Sequence, residues 1–138
     1  MVQQFEAAVL ARVVVRPTLL HLTLDTSALA ASPVPGQFFM ARCAEVYLRR
    51  AIFPCRVEAG RMALLLPLGQ DLGLTWLAAR QVGETVDLIG PLGRGFALEE
   101  AGGNLLLVSW GSALASLLAF AEKALTARWA VALVAGFE

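Results

Sequence analysis

Short apolar runs separated by Pro, Gly and Asp make up roughly the first hundred residues, a pattern typical of β domains. Between Leu20 and Leu24 the leucines alternate with polar residues, which predicts a strand with one face in a hydrophobic core. Further apolar runs predict strands over residues 6–16, 38–43, 62–67 and 85–90, and residues 75–81 are predicted to form a short helix. The close spacing of these strands predicts a closed or partly closed antiparallel barrel.

The period of the apolar positions changes after residue 104. Residues 105–108 (LLLV) form a continuous apolar run near glycines, which predicts a strand buried on both faces. After a turn at 109–112, apolar residues recur at helical spacing, with Glu122 and Lys123 away from the apolar stripe. That stripe consists of Leu114, Leu117, Leu118, Ala121 and Leu125. Residues 129–136 predict a second apolar strand, which completes one βαβ unit.

A single βαβ unit is too small a sheet to be stable alone. We therefore expect it to pack on the barrel, on another subunit, or on both. Because a two-strand parallel fragment leaves an open edge, a homo-oligomer or a complex with a partner subunit is expected.

Charge and composition restrict the classes of partner. Hydrophobic residues make up 58% of the chain and charged residues 16%, which excludes a disordered protein. Eleven basic residues balance eleven acidic ones, so no basic field is present to bind nucleic acid or anionic lipid. The stretch between Glu100 and Glu122 contains no charged residue and is long enough to cross a bilayer, but glycines, serines and an asparagine interrupt it. With Glu6 near an N-terminus that has no basic segment, we predict a cytoplasmic protein without a membrane segment or signal peptide.

Few residues carry reactive chemistry of their own. Cys43 and Cys55 are too few for an iron–sulfur cluster or an all-thiolate zinc site, and we predict that both are free thiols. His21, the only histidine, is predicted to be a surface residue on the polar side of its strand. No combination of serine, histidine and acid, and no carboxylate cluster, indicates hydrolysis. The sequence therefore predicts no catalytic side chain and no metal site.

Four short stretches share their order and residues with a known group of flavoproteins. They are PGQF at 35–38, LRR at 48–50, GETVDL at 83–88 and GPLGRGF at 90–96, and an apolar strand and a helix follow them. Over essentially its whole length the chain resembles the ferredoxin reductase superfamily, and most closely its electron-transfer subunits of dihydroorotate dehydrogenase.

The resemblance implies a β barrel plus α/β architecture. Residues 1–98 would form an antiparallel Greek-key barrel of the FAD-binding type, and residues 99–138 a truncated βαβ fragment of the domain that binds a nicotinamide nucleotide. In the family, a C-terminal cysteine cluster also holds a 2Fe–2S centre.

The family's flavin motif, Arg-Pro-x-Ser, corresponds here to Arg50-Ala51-Ile52-Phe53. The resemblance implies that the planar guanidinium of Arg50 binds the FAD phosphate, a geometry to which arginine is suited. In Phe53 an aromatic ring replaces the serine hydroxyl that bonds to the flavin, so the expected site is weakened.

Two further flavin motifs are altered in this chain. The family's Gly-Thr pair, which faces the pyrophosphate at the start of a short helix, corresponds to Leu74-Thr75, with Gly73 one residue early. The strand that passes the flavin corresponds to Leu66-Pro67-Leu68, which has no polar side chain. An alternative without a ligand is also possible from the sequence: Arg50 is then an ordinary surface charge, and the glycines of GPLGRGF only form a turn.

The family's glycine-rich nucleotide turn is also altered. Here it reads Ser109-Trp110-Gly111-Ser112, with one glycine and with Trp110 where a dinucleotide must approach the backbone. We therefore expect no NAD site. We also expect no 2Fe–2S centre, because two cysteines are too few to hold one.

Two functions remain open. The first is a flavin-binding electron-transfer subunit, an oxidoreductase if FAD is retained, that works with a partner oxidoreductase subunit. The second is a non-catalytic assembly module, a degenerate relative that no longer binds flavin.

Overall fold

A seven-stranded antiparallel sheet forms the first part of the computed structural model, which describes residues 1–98 and 102–136. Its spatial order is β4-β3-β7-β1-β2-β6-β5. The strands are β1 (Gln3–Arg16), β2 (Leu19–Asp25), β3 (Phe38–Ala41), β4 (Arg50–Ile52), β5 (Arg56–Glu58), β6 (Arg61–Pro67) and β7 (Thr85–Leu92). The fold-class prediction, an antiparallel barrel followed by a βαβ fragment, is confirmed.

The alternation in β2 places its leucines in the core. Leu20, Leu22 and Leu24 are fully buried, and they pack with Phe39 of β3 and Leu88 of β7 in the main hydrophobic cluster. Residues on the other face of β2 are half-buried, as the period of two predicts.

The short helix α1 (Leu72–Ala78) begins three residues earlier than predicted. Asp71 is its N-cap residue, and the Asp71 side chain accepts a hydrogen bond from the Leu74 N–H at 2.9 Å. An aspartate in this position satisfies one of the N–H groups that a helix start leaves free. The apolar spacing used for the prediction did not include this cap.

The second part is a βαβ unit made of β8 (Gly103–Trp110), α2 (Leu114–Thr126) and β9 (Trp129–Gly136), with a 3-10 turn at Gly111–Ala113. β8 and β9 pair in parallel. The unit packs on the barrel through α2, where Ala115 clusters with Cys55 and Ala63. The rings of Phe96 and Phe120 also lie 5.0 Å apart. Of the expected contacts, the one with the barrel is therefore present.

The buried face of α2 differs from the predicted leucine stripe. The buried residues are Ala115, Ala119, Phe120 and Ala124, whereas Leu125 is exposed. Three of the four are alanines, and small side chains let a helix lie close to the surface it covers. Glu122 and Lys123 are exposed, as predicted.

β8 is buried on one face only, so the prediction that both its faces are buried is wrong. Leu107 and Ser109 are buried, but Leu106 and Val108 are 65% and 67% exposed. Since α2 covers one face of this two-stranded sheet, the alternate residues remain open among the described parts of the chain. No helix in those parts is long and apolar enough to cross a membrane.

Candidate functional site

Arg50 lies at the start of β4 and points its guanidinium at the beginning of α1. Its Nε donates to both carboxylate oxygens of Asp71, at 2.9 and 3.2 Å, and its Nη1 donates to the Leu48 carbonyl at 2.9 Å. The side chains of Arg50 and Asp71 are 28% and 35% exposed, so solvent reaches the pair. The hydrogen bond from Arg50 lowers the pKa of Asp71, and the same bond raises the pKa of Arg50. Both groups therefore stay charged near neutral pH.

The Arg50 side chain crosses the first turn of α1, and it passes directly over Gly73. A Cβ atom at this position would lie 2.8 Å from Arg50 Cγ and 3.1 Å from Asp71 Oδ1. Gly73 is buried. Gly73, which lies one residue before the position of the Gly-Thr glycine, is thus the glycine that makes the close contact with Arg50.

Leu74 and Thr75, which correspond by sequence to the family's Gly-Thr pair, follow Gly73 in α1. The Leu74 N–H donates to Asp71 Oδ1, and the Thr75 N–H donates to the Asp71 carbonyl at 2.9 Å. Leu74 packs against the main core, whereas Thr75 is exposed. Both backbone N–H groups therefore already have acceptors within this segment.

The remaining residues of the Arg50 motif alternate between core and surface. Ala51 is exposed, and Ile52 is buried opposite Phe39 of β3. Phe53 is 42% exposed, and its ring centre lies 5.4 Å from that of Phe38. Phe38 and Phe53 therefore form a partly exposed aromatic pair at this edge of the barrel.

Leu66, Pro67 and Leu68 lie at the end of β6, against which α1 packs. Leu66 is buried in the main core, Leu68 packs against that core, and Pro67 is half-buried. Four residues of the expected cofactor site thus belong to the main core or pack against it: Ile52, Leu66, Leu68 and Leu74. These four residues pack in or against the core beneath the surface, and none has a polar side chain that could bind a ligand.

Arg49, the neighbour of Arg50, has a different role. Its Nη1 donates to Asp87 Oδ1 at 2.8 Å and to the carbonyls of Met40 and Asp87 at 3.2 Å, so it ties β3 to β7. The hydrogen bond from Arg49 is the main reason that the pKa of Asp87 lies below its ordinary value. Of the two arginines, Arg50 is the one that faces α1.

Sequence reasoning missed Asp71, the acidic partner of Arg50. A signal for it was present, because an aspartate just before a helical segment is a typical N-cap residue. The family's Gly-Thr motif drew the comparison to the residues that follow Asp71.

Trp110 is the last residue of β8 and is 64% exposed. A Cβ atom at Gly136 would overlap the Trp110 ring, so the indole lies across the end of β9. The buried Ser109 hydroxyl has no hydrogen-bond partner within residues 1–98 and 102–136. The side chain of Trp110 thus covers the backbone of Gly136 at the carboxyl end of β9.

The two cysteines are free and buried in different clusters. Burial raises the pKa of Cys55 to about 11 and also raises that of Cys43. Neither is an activated thiolate. In the described parts of the chain, no three His, Cys, Asp or Glu residues come together as a metal site would need, and His21 is half-buried on the outer face of β2.

Comparison with curated proteins finds relatives among electron transfer subunits of dihydroorotate dehydrogenase B. The electron transfer subunit of dihydroorotate dehydrogenase B (NAD(+)) from Geobacillus sp. (strain WCH70) is 30% identical over 144 residues, which cover 100% of this chain and 56% of that protein. The same subunit from Desulforamulus reducens is 34% identical over 124 residues, covering 86% and 47%. No protein-family model matches the chain.

Solved structures share the fold. The NADH-dependent reduced ferredoxin-NADP oxidoreductase has a TM-score of 0.82 at 22% identity, over 96% of this chain and 48% of the other. The ferredoxin reductase of carbazole 1,9a-dioxygenase has a TM-score of 0.81 at 20% identity, over 99% and 52%. The chain spans about half the length of the curated relatives it matches. It has the fold of the ferredoxin reductase superfamily, and in sequence it is similar to the electron transfer subunits of dihydroorotate dehydrogenase B.

Proposed function

We propose that this chain is the flavin-binding part of an electron-transfer oxidoreductase, with Arg50 as the anchor for the diphosphate of FAD. The observation that carries the proposal is the position of Arg50. Its side chain is held across Gly73 at the edge strand of the sheet, where solvent reaches it. Sequence similarity to electron transfer subunits supports the same function.

The residues around Arg50 fit FAD in part. A diphosphate needs a cationic donor, and the planar guanidinium supplies one. A flavin ring needs apolar surface, and the exposed apolar side chains that follow Arg50 in sequence are Ala51 in β4 and Phe53 just after it. Phe53 has no hydroxyl to donate, and the N–H groups of Leu74 and Thr75 have internal acceptors, so binding is weak. When FAD is bound it supplies the redox chemistry, while these residues hold and orient it.

We further propose that this part of the protein has no NAD site and no 2Fe–2S centre of its own. Support for this comes from Trp110, which lies over Gly136 where a dinucleotide would approach the strand ends. Cys43 and Cys55 are buried in separate clusters and are no ligand set for a cluster. Electrons would then reach or leave the flavin through a partner oxidoreductase subunit, as the name of the relatives suggests.

The second candidate function, a non-catalytic assembly module, is favoured by the open face of the β8–β9 sheet. Leu106, Val108, Trp110 and Val134 are exposed on this face. Exposed apolar clusters of this kind mark interaction surfaces. The two candidates differ in whether the barrel binds flavin.

An absorbance spectrum near 450 nm, with and without added FAD, tests the proposal directly. We expect the protein to purify partly or wholly colourless and to take up FAD in the micromolar range. Arg50→Ala should lower the FAD affinity about tenfold, because it removes a charge-assisted contact. Arg61→Ala is the matched control, since it removes the same charge from an exposed pair on β6 and should change the affinity little.

The outcome that contradicts the proposal is the absence of flavin uptake at high micromolar FAD. If Arg50→Ala and Arg61→Ala change the FAD affinity equally, the protein binds flavin but Arg50 is not the residue that anchors it. Thermal unfolding of both variants shows that they are folded.

A further inference from the structure

We propose that Asp71 is an internal competitor for the anion that Arg50 binds, and that it sets the FAD affinity of the chain. This inference rests on the proposed function and deepens it. Asp71 acts on the cofactor through Arg50, so it is a positioning residue.

The geometry shows that Asp71 takes hydrogen-bond donors that a diphosphate would use. Its Oδ1 accepts from Arg50 Nε and from the Leu74 N–H, both at 2.9 Å, and its Oδ2 lies 3.2 Å from the same Nε. A phosphate oxygen that binds Arg50 through Nε must displace this carboxylate.

Charge adds a second effect. The pKa of Asp71 lies below its ordinary value because of the hydrogen bond from Arg50, so the carboxylate remains ionised at neutral pH. A phosphate that reached the other guanidinium nitrogens would still lie close to a negative charge, and like charges at short range repel. Solvent screens a pair that is about one third exposed, so the effect amounts to a modest factor in affinity and not to exclusion.

Capping of α1 does not require the charge of Asp71. Asparagine, serine and threonine cap helices about as well as aspartate, because the side-chain oxygen makes the bond. The carboxylate adds an ion pair with Arg50. Because Gly73 has no Cβ atom, the Arg50 side chain can come close enough to form this pair. The substitution Asp71→Asn therefore removes the competing charge and leaves the cap in place.

The test is a FAD titration of Asp71→Asn and of the unchanged protein at the same ionic strength, followed by flavin absorbance. We expect the variant to bind FAD about twofold to fivefold more tightly, which is the size of effect that one solvent-screened charge contact has. Glu84→Gln is the matched control, since it removes one charge from the exposed Arg80–Glu84 pair, and it should leave the affinity unchanged. Thermal unfolding verifies that the variants are folded.

A double-mutant cycle that combines Asp71→Asn with Arg50→Ala tests whether Asp71 affects FAD binding through Arg50. If Asp71 competes for Arg50, most of the gain from Asp71→Asn is lost when Arg50 is absent. A gain of equal size in both backgrounds overturns the competition.

Two other results also overturn the inference, and they separate it from the proposed function. Unchanged or weaker FAD binding by Asp71→Asn, together with a loss in Arg50→Ala, refutes the role of Asp71 and keeps the flavin function. An absence of FAD binding in both the unchanged protein and Asp71→Asn refutes both.

Discussion

The contact between Gly73 and Arg50 can be tested by adding one methyl group. In Gly73→Ala the new Cβ would lie 2.8 Å from Arg50 Cγ and 3.0 Å from Arg50 Nε. Real Cβ atoms do not approach so closely, so the Arg50 side chain has to move away. Gly73 lies within α1, where an alanine backbone is ordinarily favoured, so the clash is the main unfavourable effect.

Two opposing effects determine the stability of Gly73→Ala. Alanine in place of glycine favours a helix by roughly 0.5 to 1 kcal/mol. Against this stands the loss of the Arg50–Asp71 contact, which is solvent-exposed and therefore contributes little. We expect the free energy of unfolding to change by less than about 1 kcal/mol. The FAD affinity should nevertheless fall about tenfold, as in Arg50→Ala, because the guanidinium no longer faces its ligand.

Urea unfolding and FAD titration of the same preparation measure the two effects separately. Thr75→Ala is the neighbouring control, since Thr75 is exposed and lies on the same helix. It should lower the FAD affinity less than Gly73→Ala does. If folded Gly73→Ala binds FAD as tightly as the unchanged protein, then the position of Arg50 across the first turn of α1 is not what holds the cofactor.

Two further predictions concern groups outside this site. Because the pKa of Asp87 is lowered in the folded state, its pair with Arg49 stabilises the fold above the ordinary carboxyl pKa of about 3.9, and this contribution is lost as the pH falls through the lower folded value. Urea midpoints at pH 7 and pH 3 should therefore differ less in Asp87→Asn than in the unchanged protein; an equal difference would contradict this. Cys55, with its pKa raised to about 11 by burial, should react with a thiol-alkylating reagent at pH 8 only after unfolding, as should the buried Cys43. Rapid labelling of either thiol in the native protein would contradict the burial.

Local patterns predicted the barrel because its strands carry their own signal. The leucines of β2 alternate with polar residues, and all three are fully buried in the structure. A period of two records which face of a strand meets the core, whatever lies on the far side of that core. The positions of the longer strands therefore did not depend on knowing the tertiary contacts, whereas the three-residue strands β4 and β5 were not predicted.

Periodicity failed where the contacting surface is made of small residues. In α2 the spacing of leucines predicted the buried positions, but three of the four buried residues are alanines: Ala115, Ala119 and Ala124. Leucine and alanine both count as apolar, and only the shape of the opposing surface decides which of them is buried. The same limit applies to β8, whose apolar run does not show that only one of its faces is covered.

The roles of Arg49 and Arg50 show most clearly why the site needed a structure. Adjacent residues of an extended segment point to opposite sides, so the two guanidinium groups reach different elements. Arg49 meets an acid 38 positions away, on β7, and Arg50 meets one 21 positions away, before α1. Neither sequence separation follows a helical or strand period, so the sequence pattern does not show which acid pairs with which arginine. The resemblance singled out Arg50, but only the tertiary contacts identified Asp71 as the carboxylate that pairs with it.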